Sequence, residues 1–240
     1  MTRSPLAFLA LAALALPAGV LAQQPDGVAG AVVPELGRTF VVERVSGRVM
    51  VRPRGGRAFL ALSEPRALRV GSTVKATDGR VRVIVARDAK GATSRAVFSD
   101  GQFTVTEQAR TRTTLQLGGA TYSDVCGRGA RASAGRSKRR VRRLWGDGKG
   151  RFRTKGRYSA ATVRGTKWLT EDRCDGTLTR VERGVVDVED FSVPRPPPPE
   201  PVTGGGDENG GAPPAAAPAP SKPRTVRVGS GGTYVAGPGG

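Results

Sequence analysis

A chain of 240 residues with 39 Lys and Arg against 20 Asp and Glu has a formal net charge of +19, and it contains no histidine. The missing imidazole removes the usual general base, the usual partner of a Ser or Cys nucleophile and the commonest metal ligand. No catalytic, metal or cofactor site is therefore expected, and the chain reads as a non-enzyme that attracts anionic polymers.

Residues 1–22 read as a signal peptide. Arg3 gives the positive start, Leu6 to Val20 is almost wholly apolar, and Val20-Leu21-Ala22 precedes a mature start at Gln23. The apolar run falls short of the ~20 residues that cross a bilayer, and no second run follows. The mature protein is expected to have no transmembrane segment and to be extracytoplasmic, secreted or cell-envelope associated. Residues 23–38 form a flexible lead-in rich in Gly, Ala and Pro.

From Phe40 the pattern becomes that of β-strands, and a β domain is expected over 39–192. Phe40-Val41-Val42, Val49-x-Val51 and Phe59 to Leu62 alternate or cluster as strands do, and Leu68 to Val74 continues them. Asp78-Gly79 and Asp100-Gly101 are each followed by alternating apolar residues, so both are read as tight hairpin turns. Thr111 to Leu117 is a further strand. Residues 127–157 break the rhythm as a basic excursion, with 13 Lys and Arg against the single acid Asp147. Strands resume at Arg157 to Val163, Lys167 to Leu169, Thr177 to Val181 and Val185 to Val188. Trp168 falls in an alternating segment and is expected in the core.

Residues 193–223 are a Pro/Ala/Gly-rich loop with four consecutive prolines at 196–199. Lacking packing side chains and donors, such a tract builds no core. Residues 224–236 are expected to return as a strand of the β domain, because a phrase occurs twice. Gly47-x-Val49-x-Val51 is followed by Leu68-Arg69-Val70-Gly71-Ser72, and Gly184-x-Val186-x-Val188 by Val226-Arg227-Val228-Gly229-Ser230. The fold class predicted is all-β, with short stacked antiparallel strands in a solenoid-like or sandwich arrangement of two related halves.

The two cysteines, Cys126 and Cys174, read as one disulfide in an exported chain. The neighbouring acids Glu171-Asp172 and Glu189-Asp190 point to opposite faces of a strand, so neither pair makes a shared catalytic site. Candidate polyanion-binding residues are Arg136, Lys138, Arg139, Arg140, Arg142, Arg143, Arg151 and Arg153, with Trp145, Phe152 and Tyr158 nearby for ring contacts. The competing reading of that segment is a solvated, mobile loop.

These pieces resemble the FecR-like domain family, which shows a glycine followed by alternating valines, a strand ending in Gly-Ser and an Arg-Gly-Thr-x-aromatic phrase. Here that phrase is Val163-Arg164-Gly165-Thr166-Lys167-Trp168. The resemblance implies an extracytoplasmic β-rich domain. Because only about five residues precede the apolar run, the cytoplasmic anti-sigma segment of the prototypes is not expected. The function expected is a non-catalytic binding or scaffold module at the cell envelope, with an anionic cell-wall polymer or polysaccharide as partner. The alternative is an extracytoplasmic sensor that binds another envelope protein. The export signal argues against an intracellular nucleic-acid partner.

Overall fold

The computed structural model describes residues 32–109, 112–127, 138–192 and 223–237. The expected signal peptide, most of the lead-in, residues 128–137 of the basic run and nearly all of the proline tract lie outside the described residues.

The fold is all-β. Its strands are β1 (Thr39–Arg52), β2 (Leu60–Ala61), β3 (Arg66–Arg69), β4 (Thr73–Ala86), β5 (Thr93–Gln108), β6 (Thr113–Gly118), β7 (Arg140–Lys149), β8 (Phe152–Lys155), β9 (Ser159–Val163), β10 (Thr166–Arg173), β11 (Gly176–Arg183), β12 (Val185–Asp190), β13 (Arg224–Gly229) and β14 (Thr233–Ala236), with one short helix, α1 (Tyr122–Cys126). All the strands belong to one sheet, and β6–β8 is its one parallel pair among the described residues.

Strand β5 is the fork of this sheet. One edge pairs with β4. The other edge is shared, with Arg95–Ser99 on β7 and Gln102–Gln108 on β6. From β6 the sheet continues through β8, β9 and β12 to β13; from β7 it runs through β10 and β11 to β14. A tight turn joins β13 to β14, so the two arms meet and the sheet nearly closes into a barrel. The Gly231 amide donates to the Val181 carbonyl at 2.8 Å, and the Val181 amide to Gly232 at 3.0 Å, pinning that corner to β11.

Two Asp-Gly pairs act differently from the expected hairpin turns. Both lie inside long strands, and the β4–β5 hairpin is made instead by residues 87–92. There the Asp88 carboxylate accepts the Lys90 and Ala92 amides, and Gly91 takes φ 92°. The reason is parity. Ala76 and Val81 are both buried although five positions apart, as are Phe98 and Phe103. A strand alternates faces every residue, so one extra residue must be absorbed between them. Asp78-Gly79 and Asp100-Gly101, with Asp100 at φ 60°, absorb it. Gly47 stands opposite Gly79 in register, so bends in β1, β4 and β5 line up. A Cβ on Gly101 would lie 1.9 Å from the Arg143 carbonyl oxygen, which requires glycine there.

The repeated phrase is also shifted in space. Arg69–Ser72 and Gly229–Gly232 make the same corner, since the Gly71 amide bonds Val105 as the Gly231 amide bonds Val181. The left-handed glycine of the second corner is thus Gly231 (φ 78°), matching Gly71 (φ 98°), rather than Gly229. Gly47 lies in mid-strand, whereas Gly184 lies in the β11–β12 turn.

Phe98 is the centre of the core. Its ring lies 5.4 Å from Phe103, 5.7 Å from Phe152 and 5.9 Å from Trp168. Gly146 on β7 pairs with Phe98 on one side and Trp168 on the other, and its missing side chain lets the two rings meet edge to face. The Trp168 indole donates to Thr154 at 3.0 Å, so this buried polar group is satisfied.

Candidate functional site: an arginine-lined cleft

Four connections meet at one end of the sheet, and each brings an arginine. Arg87 opens the β4–β5 hairpin, Arg112 precedes β6, Arg151 lies between β7 and β8, and Arg164 lies between β9 and β10. Together with Asp88, Ser94, Thr113 and Gly150 they line a cleft of about 400 Å³, within the ~300–1,000 Å³ range of small-ligand sites.

Backbone bonds hold the rim. The Arg87 amide donates to Ala92 at 2.8 Å, Ala109 to Arg112 at 2.8 Å, and Thr113 to Arg151 at 2.9 Å. Gly150 (φ 123°) and Gly165 (φ 128°) take backbone angles that other residues adopt only at a cost. A Cβ on Gly150 would sit 2.6 Å from the Ser94 Cβ and would crowd the floor.

The charges are unevenly compensated. Arg112 Nε lies 3.3 Å from Glu107, which also accepts the Thr114 hydroxyl at 2.9 Å. Burial alone would raise the Glu107 carboxyl, but the hydrogen bonds from Thr114 and Arg112, with the charges of Arg112 and Arg153, outweigh it and hold the group below the usual carboxylate range. Asp88 spends Oδ1 on its own turn. Arg87, Arg151 and Arg164 form no ion pair among the described residues. Gathered guanidinium groups in a concave site attract an anion and raise its local concentration.

The basic run highlighted by the sequence is distributed otherwise. Its described part, residues 138–157, is not an excursion: β7 is an interior strand between β5 and β10, and β8 follows it. Arg136 lies outside the described residues. Lys138 and Arg139 lead into β7, where the Arg139 carbonyl accepts the Cys174 amide at 3.0 Å, and Arg140 is exposed at the strand's start. Arg142 Nε donates at 2.7 Å to Asp172, which is wholly buried. Arg143 lies 3.1 Å from Asp100, and the buried Arg153 bonds Glu189 at 2.5 Å. Phe152 is in the core. Of the seven candidates among the described residues, only Arg151 lines the cleft.

Sequence reading missed Arg87, Arg112 and Arg164. The available signal was weak: each lies in a connection between alternating segments, Arg87 and Arg164 close to Gly91 and Gly165. No single stretch carries them.

A second cluster is structural. Asp172 accepts from Arg142, from the Thr177 hydroxyl at 2.6 Å and from the Arg157 amide at 2.9 Å. The Arg157 guanidinium lies 4.4 Å from the Tyr122 ring centre. Burial, then the Asp172 charge, pushes the Tyr122 hydroxyl above its ordinary value. Helix α1 starts with a capping box at Thr121 and ends in the disulfide Cys126–Cys174, Cα to Cα 5.6 Å. Such a bridge belongs to an oxidising, extracytoplasmic setting.

Among the described residues no helix is long and apolar enough to cross a membrane, and no group of three or more His, Cys, Asp and Glu could hold a metal ion. Comparisons with family models, with curated proteins and with solved structures found no match.

Proposed function

We propose that this chain is a non-catalytic, FecR-like β module that binds an anionic polymer at the cell envelope, with the polymer's charged groups seated in the arginine cleft. The observation that carries the reading is the convergence of Arg87, Arg151 and Arg164 in one concavity without carboxylate partners among the described residues. Gathering like charges costs stability, and a bound polyanion relieves that cost while releasing its counterions. The Arg164-Gly165-Thr166 phrase behind the FecR-like resemblance forms the β9–β10 turn that supplies Arg164. The expected export signal and the disulfide suit an envelope location.

The test is a binding titration with inorganic polyphosphate and with oligogalacturonate over a range of salt. Affinity should fall steeply as salt rises, and the Arg87→Ala/Arg164→Ala protein should lose about tenfold or more with a shallower salt slope. Binding that neither variant nor salt changes would overturn the reading. Retention of an envelope protein at high salt, with no polymer bound, would favour the sensor role instead.

A further inference from the structure

On the outer face of the sheet, away from the turns of the arginine cleft, lies a second concavity. It is lined by Arg80, Ser99, Trp145, Asp147 and Lys167 and has a volume of about 290 Å³. Strand register explains the grouping: Arg80 pairs with Ser99 and Ser99 with Trp145, while Asp147 pairs with Lys167 in the next row. Side chains one register step apart on a face are near neighbours, so these groups ring the indole.

The chemistry around that ring is mixed. Lys167 Nζ lies 5.7 Å from the Trp145 ring centre and 2.5 Å from Glu182. Asp147 lies 2.9 Å from Arg183, and Arg80 forms no ion pair among the described residues. A part-exposed aromatic plate edged by a hydroxyl, a carboxylate and cations offers a stacking surface with both donors and acceptors. Sugar rings, with an apolar face and hydroxyls around it, match this set. A bare polyphosphate does not, because it has no apolar face to lay on the indole.

The plate is not isolated. Toward the arginine cleft, the next outward pair on the β5–β7 ladder beyond the Val97–Asp147 row is Arg95 opposite Lys149, both exposed and without ion pairs among the described residues. Like charges directly opposed cost stability, so the pair calls for an external anion. Gly150 and Arg151, which line the arginine cleft, follow at once. From Trp145 to Gly150 is five strand steps, about 17 Å.

We infer that the ligand is an acidic glycan, one sugar ring lying on Trp145 beside Arg80 and Lys167, and its anionic groups continuing over Arg95 and Lys149 into the arginine cleft. This rests on the anionic-polymer reading above and narrows it to a class of ligand.

Intrinsic fluorescence tests it directly, because of the two tryptophans the other, Trp168, is wholly buried. Oligogalacturonate should shift or quench the emission, and Trp145→Phe should abolish the signal. Trp145→Ala should weaken oligogalacturonate about tenfold, as loss of one stacking platform does, while leaving polyphosphate binding unchanged. If polyphosphate and oligogalacturonate bind equally, with no change in emission, the inference falls and the anionic-polymer reading stands. If neither binds, both fall. Equal affinity for a neutral glucan, or a larger effect from single-stranded oligonucleotide, would each overturn the acidic-glycan assignment.

Discussion

The basic run and the arginine cleft show opposite relations between charge in sequence and charge in space. Residues 138–157 are dense in arginine, yet Arg142, Arg143 and Arg153 are consumed by Asp172, Asp100 and Glu189. The cleft draws its arginines from four separate connections and leaves three of them unmatched among the described residues. A strand spreads its side chains over two faces and meets the carboxylates of its neighbours. Turns at one end of a sheet all point to the same place.

The largest expected effect lies on the structural side of that contrast. Arg142→Ala would leave the wholly buried Asp172 without its charged partner. Breaking a buried pair costs about 3–5 kcal/mol, and the lower end applies because Arg142 keeps some solvent contact. Urea denaturation should show that loss at low and high salt alike. An effect under about 1 kcal/mol would mean that the Thr177 and Arg157 hydrogen bonds satisfy Asp172 unaided, and that the run is less structural than its ion pairs indicate.

Next in size is Gly146→Ala. Its new Cβ would lie 2.5 Å from the Trp168 ring, between the two strands whose aromatics meet over β7. Overpacking of this kind costs about 1–3 kcal/mol. Thermal unfolding should report it, together with altered near-ultraviolet signal from Trp168. Full tolerance would show that β7 is not gripped on both sides, and would restore the excursion reading of the basic run.

What the sequence could disclose follows the same division. Alternation such as Val81-x-Val83-x-Val85 is a direct imprint of a half-buried strand, so the all-β class was legible. The disulfide was legible from cysteine count and export context. Asp-Gly was not decisive, because the same permissive pair suits a hairpin turn and a parity-switching bend, and of the four residues only Asp100 takes a positive φ. Only the buried faces on either side of Asp100-Gly101 tell them apart. The repeated phrase misled by two positions because Gly229, Gly231 and Gly232 crowd one corner, and letters alone do not show which takes the left-handed angle. The cleft was illegible for a simpler reason: its arginines become neighbours only when the turns do.

A medium effect tests the closure that brings those turns together. The Asp190 carboxyl, 2% exposed, accepts the Tyr234 hydroxyl at 2.6 Å and the Ser192 amide and hydroxyl, tying β12 to β14. Burial alone would raise its pKa, but the Ser192 and Tyr234 hydrogen bonds outweigh that and hold it below the ordinary 3.8. A depressed folded pKa means stability that is present above pH 3.8 and lost as pH falls through the folded value. Asp190→Asn should cost about 1–2 kcal/mol at neutral pH and flatten the acid limb of the stability profile below pH 4. An unchanged limb would assign the acid sensitivity to other carboxylates.

The smallest effect on folding belongs to the cleft itself, and it completes the contrast. Arg87 and Arg164 gain no ion pair from the described residues, so truncating them removes repulsion and little else. Arg87→Ala/Arg164→Ala should alter stability by no more than about 0.5 kcal/mol, with any change a gain. That gain should be visible at about 0.01 M salt, where charges are felt across roughly 30 Å, and should vanish near 1 M, where the range shrinks to roughly 3 Å. The Arg142→Ala loss should ignore the same change of salt. A large, salt-independent loss from the cleft variant would make its arginines structural like those of the run, and would leave the concavity with no surplus charge to offer a ligand.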